Sequence, residues 1–120
     1  MKQLALLAMA GIFIPGLPIA AQREKTERIG NGVSSPKVIH KVEPSYTDEA
    51  RDAKINGTVT LSVEISRDGV ADVIDVTKSL DRGLDQNAVE AVRQWRFKPA
   101  EKDGKPVRVA ATIEVNFRLD

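Results

Sequence analysis

One stretch organises this sequence: it is LDQNAVEAVRQWRFKPA, residues 84–100. Apolar residues recur in it at spacings of three and four, which places them on one face of an α-helix. They are Leu84, Ala88, Ala91, Val92 and Trp95. Pro99 has no amide hydrogen and restricts Lys98, so the helix is predicted to end by about Phe97, with Arg96 in its last turn. Trp95, Phe97 and Pro99 are predicted to be structural anchors rather than ligand contacts.

The composition excludes several kinds of site. The 120 residues include no cysteine and one histidine, His40, so a typical zinc site cannot be built. Glycine-rich phosphate loops, nucleophile elbows and paired His-Glu motifs are absent from the sequence. Asp68, Asp72 and Asp75 lack the spacing of a calcium loop and are interpreted as solvated surface. The sequence therefore predicts no enzyme, no cofactor and no metal.

The N-terminus has the pattern of a secretory signal. Lys2 precedes the apolar run Leu4–Ile14, and small residues precede a cleavage site after Ala21. The run is shorter than the roughly 20 residues that span a membrane. Cleavage of residues 1–21 and export are therefore predicted, and an uncleaved inner-membrane anchor is the alternative. Removing Lys2 leaves 17 basic and 17 acidic residues, a balance that argues against a nucleic-acid partner.

Two regions are predicted after the signal. Residues 22–35 are polar and rich in small side chains, which is typical of a flexible leader that buries no core. Residues 36–120 are predicted to form the folded domain. It begins with an extra edge strand near Val38–Val42, followed by a short helix over Asp48–Lys54 that Ser45 or Thr47 caps.

Strict alternation of apolar and polar residues predicts the strands of this domain. Gly57–Ser66 alternates, turns at Asp68-Gly69 and returns over Val70–Ser79, with a bulge near Asp72–Val73 that restores the phase. The last strand, Val107–Leu119, alternates without a break over 13 residues. It is the longest strand signal in the chain.

These elements predict an α+β fold of two layers, with a three-stranded sheet packed against one long and one short helix. The last strand could lie beside the first, which gives an antiparallel sheet in the order 2-1-3. It could also lie beside the second and run parallel to it, and the pattern leaves both open. At a sheet edge, its unpaired backbone groups could pair with a peptide from another protein.

The motifs together resemble the C-terminal domain of TonB-family energy transducers. The resemblance covers about residues 38–120 and rests on the order and spacing of several short runs. They are Gly57–Ile65, Asp68-Gly69, Leu84-Asp85, Ala88, Ala91-Val92, Trp95–Ala100 and Asp103–Val107, with Pro44 and Tyr46 upstream.

The resemblance implies a periplasmic domain that binds the TonB box of outer-membrane receptors in TonB-dependent transport. Binding would occur by strand addition to the last strand, which favours the order 2-1-3 with that strand at an edge. Glu43, Pro44, Ser45 and Tyr46 match a segment that approaches the receptor in the family. The implied partner-pairing residues are Val107, Arg108, Val109, Ala110, Ala111, Thr112, Ile113, Glu114, Val115, Asn116, Phe117, Arg118 and Leu119.

The region before the domain departs from that family pattern. A full transducer has a membrane anchor and a long proline-rich spacer, whereas residues 22–35 have an end-to-end distance of only about 20 Å. The predicted partner is a TonB-dependent receptor or another envelope protein. The alternative is a self-associating structural domain, a homodimer in which the last strand pairs with its own copy.

Overall fold

The structure, a computed structural model, describes Gly16 and residues 25–119. Apart from Gly16, the predicted signal and its cleavage site lie outside the described residues. No helix in the described part is long and apolar enough to cross a membrane. In chain order the described elements are β1 (Glu27–Arg28), β2 (Lys37–His40), α1 (Asp48–Asp52), β3 (Gly57–Ile65), β4 (Ala71–Lys78), α2 (Arg82–Gln94), β5 (Arg96–Lys98), β6 (Ala100–Lys102), β7 (Lys105–Val107) and β8 (Val109–Phe117).

The main sheet has four strands in the order β1-β8-β3-β4. The three predicted strands are β3, β4 and β8, and they lie antiparallel in the predicted 2-1-3 order. The predicted strand count of three is wrong, because β1 adds a parallel fourth strand in which Glu27 lies opposite Val109. A two-residue strand in polar sequence has no alternation by which it could be recognised.

The core lies between this sheet and α2, which packs against β3 and β4. The predicted inner face of β3 is confirmed, because Val59, Leu61, Val63 and Ile65 are all buried. The predicted bulge in β4 is also confirmed: Asp72 is skipped in the register, which turns Ala71 onto the core face opposite Ile65. A second irregularity at Thr77 was not predicted.

Helix α2 begins where side chains satisfy its free amides. Asp81 accepts a hydrogen bond from the Leu84 amide at 3.1 Å, and Asp85 accepts one from the Leu80 amide at 2.9 Å. The first contact replaces a missing intrahelical partner of the first turn, and the second holds the chain just before the helix. All of the residues predicted to share its apolar face are buried, namely Leu84, Ala88, Ala91, Val92 and Trp95.

The helix ends before the predicted limit of about Phe97, but the prediction that Arg96 lies in its last turn is wrong. The helix stops at Gln94, and Arg96–Lys98 is the strand β5, which pairs antiparallel with β2 in a separate two-stranded sheet. Trp95 has extended backbone angles, and the Phe97 amide donates to the Gly69 carbonyl at 2.9 Å. Pro99 favours an extended conformation in the residue before it. Residues 96–98 therefore pair with β2 as a strand instead of forming the last turn of the helix.

The short helix α1 is confirmed, with Thr47 rather than Ser45 as its cap. The Thr47 hydroxyl accepts from the Ala50 amide at 3.0 Å, and Ala50 is buried in the core. The helix ends at Asp52, two residues before the predicted end, and Lys54 has the left-handed φ of 53°.

The polar segment before the domain contributes to the fold. Gly30 and Val33 exchange backbone hydrogen bonds of 2.9 and 3.1 Å around a tight turn at Asn31-Gly32, whose φ values are both positive. The prediction that this segment contributes no residue to the core is wrong for Val33, which is 7% exposed and forms an isolated β-bridge with Lys102. That residues 22–35 act as a flexible leader stays a prediction.

The predicted last strand, residues 107–119, is divided in the structure. Val107 belongs to β7, which forms a hairpin with β6 around Asp103-Gly104, and β8 runs only from Val109 to Phe117. The break falls at Arg108, whose side chain is 6% exposed. The alternation of polar and apolar residues continues through the break, so the sequence pattern could not show it.

Replacing Gly69 by alanine should destabilise the hairpin strongly. Gly69 has φ +86°, and a Cβ there would lie 2.1 Å from the Phe97 carbonyl oxygen. Positive φ alone costs a non-glycine residue about 1–2 kcal/mol, and the clash with a backbone atom adds to it. Gly104→Ala is the control, because its φ is +78° but nothing lies within 4 Å of the added Cβ. Urea unfolding should show a larger loss for Gly69→Ala, and equal losses would contradict the close approach.

Candidate functional site

The edge of β8 that faces away from β3 is the candidate site. On its inner side, β8 pairs with β3 along its whole length, from Val109 to Phe117. On the outer side, β1 pairs only with Val109 and Ala110. Within residues 25–119, no other strand pairs with the outer side, so the edge is open from Ala111 onward.

The direction of the backbone groups follows from one hydrogen bond. The Glu27 amide donates to the Arg108 carbonyl at 2.9 Å, so the backbone of Arg108 faces β1. In a strand, the amide and carbonyl of one residue face the same side, and neighbouring residues alternate. The backbone amides and carbonyls of the even-numbered residues of β8 therefore face away from β3. Beyond the part that β1 covers, these residues are Thr112, Glu114 and Asn116.

A bond just after the last residue of β3, at the same end of the sheet, agrees with this alternation. The Ser66 amide donates to the Val70 carbonyl at 2.8 Å, so even-numbered residues there face β4 and odd-numbered ones face β8. The odd-numbered residues of β8, such as Ile113 and Val115, then hold the ladder with β3. The two sets of backbone groups on β8 have separate uses, one structural and one available to a partner.

The side chains beside the open edge form two different surfaces. Thr112, Glu114 and Asn116 are exposed on the polar face of the sheet. On the core face, Ala111 and Ile113 pack against the core but are only partly buried. A strand added at this edge would place alternate side chains over that half-covered apolar surface, as in other examples of strand addition.

The opposite edge of the sheet, β4, is less suited to pairing. Its ladder with β3 is irregular at Asp72 and at Thr77. Bulges and charged side chains are common devices that prevent an edge strand from pairing with another chain. β8 has no such irregularity over its nine pairs with β3. Of the two edges, β8 is therefore the regular one.

Arg108 has a structural position within the predicted pairing region. Its guanidinium forms two hydrogen bonds of 2.7 Å with Asp72 and one of 3.2 Å with Glu64. This paired arrangement ties the start of β8 to the bulge in β4. Asp72, interpreted from sequence as solvated, is thus an ion-pair partner, and no spacing rule could have matched it with a residue 36 positions away.

The segment Glu43–Tyr46 lies mainly across α2. The Trp95 indole donates to the Val42 carbonyl at 2.9 Å, and the Asn87 amide group donates to the Ser45 carbonyl at 2.7 Å. Glu43, Pro44 and Ser45 line a shallow groove with this helix. Of the four residues predicted to approach a receptor, these three are therefore held against α2.

Tyr46 is the member of this segment that lies next to β8. Its ring packs edge-on against Phe117 with centroids 5.6 Å apart, and its hydroxyl donates to the Ile55 carbonyl at 2.8 Å. Tyr46 therefore supports the end of the strand from the core side.

A basic depression lies at the end of β8, just beyond Phe117. Arg51, Lys54 and Arg118 line it together with Tyr46 and Leu119. None of the three cations forms an ion pair with a described residue. The sequence did not single out this cluster, because Arg118 is far from Arg51 and Lys54 along the chain.

Comparison with known proteins places this architecture in one family. The family model for the Gram-negative bacterial TonB protein C-terminal matches residues 42–119, which include both helices and the strands β3 to β8. The chain belongs to this family.

Several TonB proteins are similar to this TonB C-terminal domain. The chain is 33% identical over 91 residues to protein TonB of Vibrio cholerae, covering 73% of this chain and 37% of that protein. It is 31% identical over 88 residues to protein TonB of Klebsiella pneumoniae, covering 72% and 34%. Protein tonB2 of Pseudomonas aeruginosa is 35% identical over 83 residues, covering 68% and 31%. The chain thus spans about a third of the length of these relatives.

A solved structure shares the fold. The solution NMR structure of the Pseudomonas aeruginosa TonB C-terminal domain superimposes with a TM-score of 0.61 at 27% identity, covering 81% of this chain and 97% of that one. The match supports the arrangement of sheet and helices in this TonB domain and extends over most of the described residues.

Proposed function

We propose that this TonB C-terminal domain is a periplasmic peptide-binding module. It pairs by strand addition with TonB-box-type segments of outer-membrane receptors and so takes part in TonB-dependent transport. The observation that carries the proposal is the open edge of β8, where Thr112, Glu114 and Asn116 present their amides and carbonyls outward beside the half-covered Ile113.

The mechanism of recognition is backbone pairing. Each of the three outward-facing residues offers one donor and one acceptor to an extended peptide. A hydrogen bond contributes a net of about 0.5–1.5 kcal/mol, and association itself costs several kcal/mol. The edge alone therefore supports weak, reversible binding, and apolar contact with Ala111 and Ile113 adds to it. Binding of this kind needs neither a catalytic group nor a cofactor.

Membership of the TonB family supports this role beyond the geometry of the edge. The matched relatives are named TonB, and their matched part corresponds to this domain. The domain would act in the periplasm, where a receptor segment can reach it.

The same regular edge could pair with a second copy of the chain, and solution mass separates the two uses. Sedimentation equilibrium should be run on the protein with and without a synthetic TonB-box peptide. A monomer that binds one peptide, or a dimer that the peptide dissociates, is the expected result. A stable dimer whose mass and dissociation constant are indifferent to the peptide would favour a self-associating structural domain and contradict peptide binding.

A further inference from the structure

The segment Thr26–Ser34, here called the N-terminal strap, occupies one end of the candidate docking edge. Its strand β1 bonds to the Arg108 carbonyl and lies opposite Val109 and Ala110. Because this pairing is parallel, the carbonyl of Glu27 faces the outward amide of Ala110. The strap therefore satisfies the backbone groups that a longer partner strand would otherwise bind.

The two ends of the strap are held unequally. At its far end, Val33 is buried, and Ser34 exchanges two hydrogen bonds of 3.0 and 2.9 Å with Glu101. At its near end, besides the backbone pairing, Thr26 donates to the Glu64 carboxylate at 3.0 Å and Glu27 forms an ion pair of 3.7 Å with Lys102. The far end is thus anchored by a buried apolar side chain, whereas the near end is held by backbone pairing and polar contacts alone.

We propose that the strap limits the partner strand to the stretch Ala111–Phe117 and so selects the length of the peptide that binds. This inference rests on the proposed function. Seven residues of strand extend over about 23 Å, so a peptide of up to about seven residues fits along this stretch. A longer peptide that runs past Ala111 must first displace β1. The free energy needed to break the pairing of β1 offsets the free energy that the additional peptide contacts would contribute.

Proline substitutions in the full chain test this limit, because the two residues of β1 face opposite sides. Glu27→Pro removes the amide that donates to Arg108 and should release β1. Arg28→Pro is the matched control, since its amide faces away from β8 and the substitution favours an extended residue before it. Glu27→Ala separates loss of the carboxylate from loss of the amide.

The probes are a six-residue TonB-box peptide and two ten-residue versions lengthened by four residues at either end. In the unsubstituted protein and in Arg28→Pro, all three should bind with similar affinity. In Glu27→Pro, the version lengthened toward β1 should bind about three- to tenfold tighter, the equivalent of one hydrogen bond, while the other two should not change. Amide hydrogen exchange at Ala110 should quicken in Glu27→Pro and slow again with that peptide.

Two results would overturn the proposal. One is that, in the unsubstituted protein, the ten-residue peptide lengthened toward β1 protects more amides of the edge and binds more tightly than the six-residue peptide. The other is an equal affinity of all three peptides for Glu27→Pro, even though exchange at Ala110 shows that β1 has detached. In both cases the peptides still bind to β8, so the proposed function would stand. Loss of all peptide binding in every variant would instead contradict the proposed function.

Discussion

Replacing Trp95 by alanine is expected to lower the free energy of unfolding by about 3–5 kcal/mol, as for other large buried aromatics. Trp95 is 4% exposed, packs near Phe97 with ring centroids 6.1 Å apart, and donates its indole hydrogen to Val42. Small domains have unfolding free energies of about 5–15 kcal/mol, so the substitution should remove a large part of the stability of the domain. Urea unfolding followed by circular dichroism is the measurement, because the variant has no tryptophan fluorescence.

The control for this substitution is Trp95→Phe. It keeps most of the buried ring and removes the indole hydrogen, which leaves the Val42 carbonyl without its donor. Loss of one such partner costs about 1–3 kcal/mol, so Trp95→Phe should be clearly more stable than Trp95→Ala. A Trp95→Ala protein within about 1 kcal/mol of the parent would show that the core is not built around this ring.

Proline at Thr112 and proline at Ile113 should have opposite effects on folding and binding. The Thr112 amide faces the open edge, so Thr112→Pro removes a docking donor and leaves the ladder with β3 complete. The Ile113 amide faces β3, and a proline there removes a ladder bond in the middle of the sheet. We expect Thr112→Pro to stay folded and to lose TonB-box peptide affinity about tenfold, or about 1.4 kcal/mol. Ile113→Pro should lose at least about 3 kcal/mol of stability.

Calorimetric titration of the peptide and urea unfolding of both variants provide the comparison. Glu114→Pro is a second outward position and should repeat the behaviour of Thr112→Pro. A folded Thr112→Pro protein with unchanged affinity would mean that the peptide docks elsewhere. Equal loss of stability in the Thr112 and Ile113 variants would contradict the assignment of inward and outward backbone groups.

The parts of the fold that periodicity could predict are those with a buried face. The apolar face of α2, the alternation of β3 and the bulge at Asp72 all reflect which side chains are buried, and all three predictions are confirmed. Strand β1 and the end of α2 depend on backbone pairing with distant segments. The Glu27 amide bonds to the Arg108 carbonyl, and the Phe97 amide bonds to the Gly69 carbonyl. No pattern of apolar residues in the sequence indicates either backbone hydrogen bond.

The sequence could predict that the candidate site is a strand, but not which backbone groups of that strand are open to a partner. The alternation of Val107–Leu119 indicated a long strand, and the family resemblance placed it at an edge. Which of its backbone groups face outward depends on the register with β3 and on the bond from Glu27, and neither is encoded in residue type. The burial of Arg108 depends likewise on two carboxylates from other strands, Asp72 and Glu64.

Amide hydrogen exchange along β8, measured by NMR with and without a TonB-box peptide, tests the central claim most directly. In the free domain, the amides of Ile113 and Val115 should be protected by β3, while those of Thr112, Glu114 and Asn116 should exchange quickly. Saturating peptide should slow exchange at these three outward positions. If all three exchange as quickly in the saturated complex as in the free domain, the peptide does not add to β8 and strand addition at this edge is wrong.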